Sequence, residues 1–234
     1  MTQGPAGPWS ALLHPLSWVY GPLSARQIRR KQQRAVRVNV PVISVGNLAV
    51  GGAGKSPFVR LLVGWLQEAG HQPAIAMRGY GSANPNEADE VREHRLTCPD
   101  VPVLAGPDRV FEIQKAQREG VPFDCVVLDD GFQHTQLARD LDLDLIDGTR
   151  PPVQTTTLPA GWLREPAIGL QRADAWVISG SMGEDDQAAT AQLAGQPALA
   201  EVRAVWQGVH TVQGEEVSVP VSYTHLRAHE TSID

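Results

Sequence analysis

The chain has 234 residues, 42% of them hydrophobic and 20% charged, a balance that excludes a largely disordered polypeptide and suffices for one large α/β domain, alone or with a smaller lobe. Its two cysteines, Cys98 and Cys125, have no CxxC spacing, which argues against a disulfide framework or a zinc site and fits a reducing cytoplasm. The net charge of −6 is unevenly spread: no Asp or Glu precedes Glu68, so residues 1–67 carry +8 and the remainder −14.

The first predicted element is amphipathic. From Trp9 to Leu23, Leu12, Leu16, Val19, Tyr20 and Leu23 fall at helical spacing, and Arg26, Arg29, Arg30, Lys31, Arg34 and Arg37 follow. Pro15 and Pro22 interrupt the run, which is shorter than the about 20 apolar residues that cross a bilayer. Its charges follow the apolar stretch, unlike those of a signal peptide. Two readings fit: an interfacial anchor with Trp and Leu among lipid headgroups and basic residues against anionic lipid, or a surface helix packed on the domain.

Next come a β-branched strand over 40–45, a glycine-rich loop, and a helix over about 56–69 closed by Gly70. A second strand is expected over 73–77, a long functional loop over 79–100 and a third strand over 101–105. Asp108 is placed to cap a helix that ends near Gly120. Residues 125–128 form a short apolar strand ending in Asp129 and Asp130, and residues 141–146 alternate as a half-exposed strand does. After a Pro/Thr/Gly-rich connection over 148–169, strands over 173–179 and 198–205 flank a helix over 184–193. Strands alternating with helices predict a P-loop NTPase-like parallel sheet flanked by helices, with an incomplete smaller second α/β lobe. The expected divisions are a basic amphipathic segment over 1–38, a kinase domain over 39–150, a connecting loop and partial lobe over 151–221, and an atypical tail over 222–234.

The chemistry centres on Gly51-Gly52-Ala53-Gly54-Lys55-Ser56, between a predicted strand and a predicted helix. The P-loop pattern GxxxxGK[ST] has Ala49 at its first glycine position. The physics survives that change: a glycine-lined turn lets backbone N–H groups approach phosphate oxygens, and the helix N-terminus adds a favourable dipole. Lys55 suits the β- and γ-phosphates, and Ser56 suits Mg²⁺. Asp129 and Asp130, at the tip of an apolar strand, are both candidates for the metal. No [NT]KxD motif occurs, which leaves ATP as the default nucleotide. His134 reads as a packed or hydrogen-bonded histidine rather than a catalyst.

Seven runs together, PVISVGNLAVGGAGKSP (41–57), RGYG (78–81), DE (89–90), GPDR (106–109), LDDGFQH (128–134), RDLDLDLID (139–147) and LPAGWLREP (158–166), resemble the tetraacyldisaccharide 4'-kinase family, over about residues 9–206. The resemblance implies an ATP- and Mg²⁺-dependent kinase that phosphorylates the 4'-hydroxyl of a tetraacyl glucosamine disaccharide 1-phosphate in lipid A biosynthesis. It implies a peripheral protein on the cytoplasmic face of the bacterial inner membrane. Its partners would be the lipid A disaccharide precursor and an anionic membrane surface, with no nucleic acid. It places the phosphate loop on Ala49, Val50, Gly51, Gly52, Ala53, Gly54, Lys55 and Ser56, and the catalytic carboxylate on Asp89, with Val91 where the family motif usually has proline. Asp129 and Asp130 match the family's acidic strand end, and Glu165 is a further candidate for the metal. Arg78, Tyr80, Arg109 and Arg164 are candidates for the sugar or its phosphate, each equally able to sit in a structural salt bridge.

The tail from Ser222 to Asp234 departs from the family, and the family's downstream glycine-rich, FxDHH-like and TEKDAVK-like segments do not occur. A truncated or chimeric reading frame is the expectation. Two alternatives therefore stand beside the kinase: a catalytically impaired nucleotide-binding fragment, and another P-loop kinase with a soluble substrate. The N-terminal segment and the LPAGWLREP run argue against the last.

Overall fold

The computed structural model describes residues 12–79, 84–203, 209–210 and 216–217. Seven strands form one parallel sheet: β1 (Val42–Gly46), β2 (Pro73–Met77), β3 (Val103–Ala105), β4 (Cys125–Asp129), β5 (Leu141–Asp147), β6 (Ala175–Ser179) and β7 (Ala200–Val202). Their order is β3-β2-β4-β1-β5-β6-β7. A two-stranded antiparallel pair, β8 (Val209–His210) with β9 (Glu216–Val217), stands apart from it. Strands β6 and β7, from the segment expected in a second lobe, join this same sheet through β5.

Strands β2 and β4 are apolar on both sides up to the Asp129 tip because helices cover both faces, whereas β5 buries Asp142 and Asp144 between its leucines. Alternate residues of β4 point opposite ways. Val127 joins Val45, Val59, Val63 and Ile75 under α2 (Lys55–Glu68). Val126 and Leu128 join Val42, Ala74 and Ile113 under α4 (Arg109–Arg118). Full burial of such a side chain contributes about 1.5–3 kcal/mol. The expected cap of α4 is present: the Asp108 side chain accepts from the Phe111 backbone N–H at 3.1 Å. Helix α5 (Glu184–Ala194) connects β6 to β7.

Two expectations are corrected. Pro22 does not interrupt the first helix: α1 runs from His14 to Gln32 with Pro22 inside it. The proline removes one i→i−4 bond, but the helix is held by the loops beneath it. Thr157 Oγ1 donates to the Ser17 carbonyl at 3.0 Å, Ser17 Oγ accepts from the Ala160 N–H at 3.0 Å, and Thr135 Oγ1 donates to the Ile28 carbonyl at 3.0 Å. The expected loop over 79–100 contains a 3-10 turn at Pro85–Glu87 and a helix, α3 (Asp89–Thr97). Periodicity could not reveal α3, because it buries only Val91 and His94.

Parallel order places the C-terminal ends of β1 and β4 side by side, with Val45 in register with Asp129. Open parallel sheets bind ligands beyond such ends. The would-be Cβ of Gly46 lies 2.5 Å from the Phe132 backbone nitrogen, so only glycine lets the two chain exits pass this closely.

Candidate active site

A cleft of about 880 Å³ opens over these strand ends, within the range of cofactor pockets. The phosphate loop forms its floor. Gly54, at φ 74°, occupies the left-handed region and turns the chain into α2, which begins at Lys55. Ala49 lies outside the turn: it pairs antiparallel with Leu163, while the Val50 N–H donates to the Trp162 carbonyl at 2.8 Å and the Arg164 N–H to the Leu48 carbonyl at 2.9 Å. The LPAGWLREP run is thus the strap that holds the loop's entry, and an alanine fits there because no left-handed conformation is needed.

Lys55 Nζ donates to Asn47 Oδ1 at 3.1 Å and lies 3.5 Å from Asp130 Oδ1. Ser56 Oγ donates to Asp129 Oδ2 at 2.9 Å. The buried Arg109 guanidinium reaches the carbonyls of Asp129 and Asp130, both at 3.4 Å. Arg164 Nη1 donates to both carboxylate oxygens of Asp130, at 2.8 and 2.9 Å, and to Gln133 Oε1 at 3.2 Å. Asp130 is the non-glycine residue with positive φ, at 53°, among the described residues. Such a conformation costs on the order of 1 kcal/mol and persists where neighbours over-determine it, as these cations do. Burial alone would raise the Asp130 carboxyl, but Arg164, Lys55 and Arg109 together hold it below its usual range.

Oxygen donors of this kind suit Mg²⁺. Ser56, Asp129 and Asp130 are brought together in the cleft and could hold the ion. Glu165 is not: it is 1% exposed, paired with Arg172, and accepts from Gln133 Nε2 at 3.1 Å. The structure places Glu165, expected as a further candidate for the metal, outside the cleft lining, and through Gln133, also bonded to the Asn47 carbonyl at 3.1 Å, it braces the loop behind Lys55.

Arg78 lines the cleft with an exposed side chain, and Arg109 and Arg164 line it as well. Tyr80 lies outside the described residues. Asp89 opens α3 with its side chain exposed, whereas Glu90 and Glu93 of the same helix line the cleft. Burial first, and then the charges of Asp129 and Asp130, push the Glu90 carboxyl up. His134 fits its expected packed role: burial, then Arg109, Arg139 and Lys31, lower it to about 3, so it stays neutral at physiological pH.

Several site residues escaped the sequence reading. Asn47 and Gln133 lay inside quoted motifs but carried no charge to draw notice. Glu90 and His94 lay in the presumed loop. Helix α1 supplies the opposite wall with Tyr20, Ser24, Gln27 and Lys31, a spacing that its apolar pattern had masked.

Residues 9–225 match the protein family described as tetraacyldisaccharide-1-P 4'-kinase. Among similar proteins, the tetraacyldisaccharide 4'-kinase of Francisella tularensis subsp. novicida (strain U112) is 33% identical over 76% of this chain and 60% of its own. That of Pseudomonas putida (strain F1) is 38% identical over 74% of this chain and 56% of its own. The chain therefore spans less than two thirds of the length of these relatives. The crystal structure of "apo" form LpxK from Aquifex aeolicus in complex with ATP superposes with a TM-score of 0.67 at 28% identity, covering 89% of this chain and 69% of that one. With the family match running over residues 9–225 and six of the seven motifs contributing residues to one cleft, the chain belongs to the tetraacyldisaccharide-1-P 4'-kinase family.

Proposed function

We propose that this chain binds ATP with Mg²⁺ and transfers its γ-phosphoryl group to the 4'-hydroxyl of a tetraacylated glucosamine disaccharide 1-phosphate at a membrane surface. The observation that carries the reading is the placement of Lys55 between Asn47 and Asp130, beside Ser56 and Asp129, on the floor of a cleft large enough for a nucleotide. The similarity to a structure that contains ATP supports the choice of nucleotide.

In this reading the N–H groups at the start of α2 and the Lys55 ammonium receive the phosphates. Bound Mg²⁺ would neutralise charge on the β- and γ-oxygens, with Ser56, Asp129 and Asp130 around it. Arg164 and Arg109 hold Asp130 and the strand end in place, so that little reorganisation is left for the reaction itself. A sugar hydroxyl needs a base, and the first turn of α3 supplies the candidates. The family resemblance assigns the role to Asp89, at the exposed end of the helix, while Glu90 faces the metal-side carboxylates.

The lipid would approach along α1. One face of that helix lines the cleft through Tyr20, Ser24 and Lys31, while Leu16, Val19 and Leu23 stand 58%, 60% and 60% exposed on the neighbouring stripe. No helix among the described residues is long and apolar enough to cross a membrane. An exposed apolar stripe followed by Arg26, Arg29, Arg30 and Lys31 supports peripheral attachment to anionic lipid, on the cytoplasmic inner-membrane face that the resemblance implies. The test is a kinase assay of this chain with γ-labelled ATP and the lipid disaccharide in mixed micelles. Label transferred to the lipid supports the reading. ATP binding without transfer would reduce the chain to a nucleotide-binding fragment.

A further inference from the structure

A histidine in α3 reaches the metal-side carboxylate from outside every motif of the phosphate site. His94 is 0% exposed, and its Nε2 lies 2.9 Å from Asp129 Oδ2. A carboxylate oxygen can only accept, so Nε2 carries the shared proton. The same oxygen accepts from Ser56 Oγ at 2.9 Å. With Oδ2 engaged by two donors, Oδ1 is the oxygen left for a cation in the cleft that Asp129 lines. The two donors differ in kind. Ser56 belongs to the phosphate loop and is itself a candidate for the cation, whereas His94 comes from another element, α3.

The contact also sets the position of α3. That helix is tied to α2 by Arg60 and Glu93 at 2.9 Å and to β4 by His94, and its first turn carries Asp89 and Glu90. A single side chain therefore links the metal-side carboxylate to the helix that faces the acceptor. We infer that His94 is a positioning residue: its Nε2–H fixes the Asp129 carboxylate for a divalent cation and holds α3 in register with it. The inference rests on the reading of Asp129 as a metal-holding carboxylate.

The test exploits reach. In glutamine the side-chain nitrogen lies about where Nε2 lies in histidine; in asparagine it lies about where Nδ1 lies and falls short of Asp129. Mn²⁺ binding to the chain with saturating ADP is read by electron paramagnetic resonance, and ADP affinity is read separately in EDTA. His94→Asn and His94→Leu should weaken Mn²⁺ about 10–100-fold, the usual cost of losing a partner that orients a metal ligand. They should leave metal-free ADP affinity unchanged, and His94→Gln should keep Mn²⁺ affinity close to that of the parent. If His94→Leu does not fold, the pair His94→Asn and His94→Gln carries the comparison. Parent-like Mn²⁺ affinity in a folded His94→Asn variant would overturn the inference, whatever its Tm, and so would equal losses in the Asn and Gln variants. Failure of the parent itself to bind Mn²⁺ with ADP would instead overturn the metal reading of the site.

Discussion

Lys55→Met separates function from stability in a way the geometry makes quantitative. The Lys55 side chain is 12% exposed and its ammonium has two neighbours, Asn47 at 3.1 Å and Asp130 at 3.5 Å. Removal takes the donor from Oδ1 of Asn47, which is 2% exposed, but does not strand Asp130. Asp130, 27% exposed, keeps both hydrogen bonds from Arg164, and Arg109 still holds the adjoining carbonyls. Loss of this ion pair at 3.5 Å and of the donor to Asn47 together costs about 1–2 kcal/mol, so the variant should unfold within about 8 °C of the parent. A charge-assisted contact to phosphate is worth about 1.5–3 kcal/mol, so ATP affinity should fall about 10–100-fold. Phosphoryl transfer should fall further, by about 10²–10³-fold, because the ammonium acts most strongly on charge in the transition state. Calorimetric ATP titration beside thermal unfolding checks both. Unchanged ATP affinity in a folded variant would refute the phosphate role, and a Tm lower by more than about 10 °C would show that Lys55 is chiefly a structural ion-pair partner.

Other outcomes follow from the same geometry. Asp89→Asn should lower kcat by about 10²–10⁴-fold with ATP affinity retained, while Glu90→Gln should cost far less; the reverse pattern in the lipid kinase assay would move the base to Glu90. Arg164→Ala should destabilise the fold by about 1 kcal/mol at pH 7 by leaving Asp130 less compensated. Because the folded Asp130 carboxyl sits below its ordinary value of 3.8, the stability it contributes is complete above that pH and is lost as pH falls through the lower, folded value. The gap between parent and variant in urea unfolding should therefore narrow below pH 3.8 and hold constant from pH 5 to 7. Replacing Leu16, Val19 and Leu23 together by Glu should release the chain from anionic vesicles, and added salt should weaken the parent's binding; flotation that ignores lipid charge would leave α1 as a wall of the cleft alone.

Much of this protein was legible locally. A β-branched run, a glycine turn and a helical period within a few dozen residues define β1, the phosphate loop and α2, because short-range backbone preferences and one buried face decide them. The Asp108 cap and the Asp129 strand end were readable for the same reason. Other features depend on which distant segments meet. The insertion of β4 between β2 and β1 puts Asp129 beside the phosphate loop, and no periodicity encodes it. Arg164 and Glu165 are adjacent and both charged, yet one turns to Asp130 and the other to Arg172, a choice made by packing around residue 165. Asp89 and Glu90 are equally acidic in sequence, and only the docking of α3 turns Glu90 into the cleft. His94 is the sharpest case. Its partner lies 35 residues away, its neighbours are polar, and a lone histidine has no pattern; its burial against Asp129 exists only once α3 packs over the end of β4.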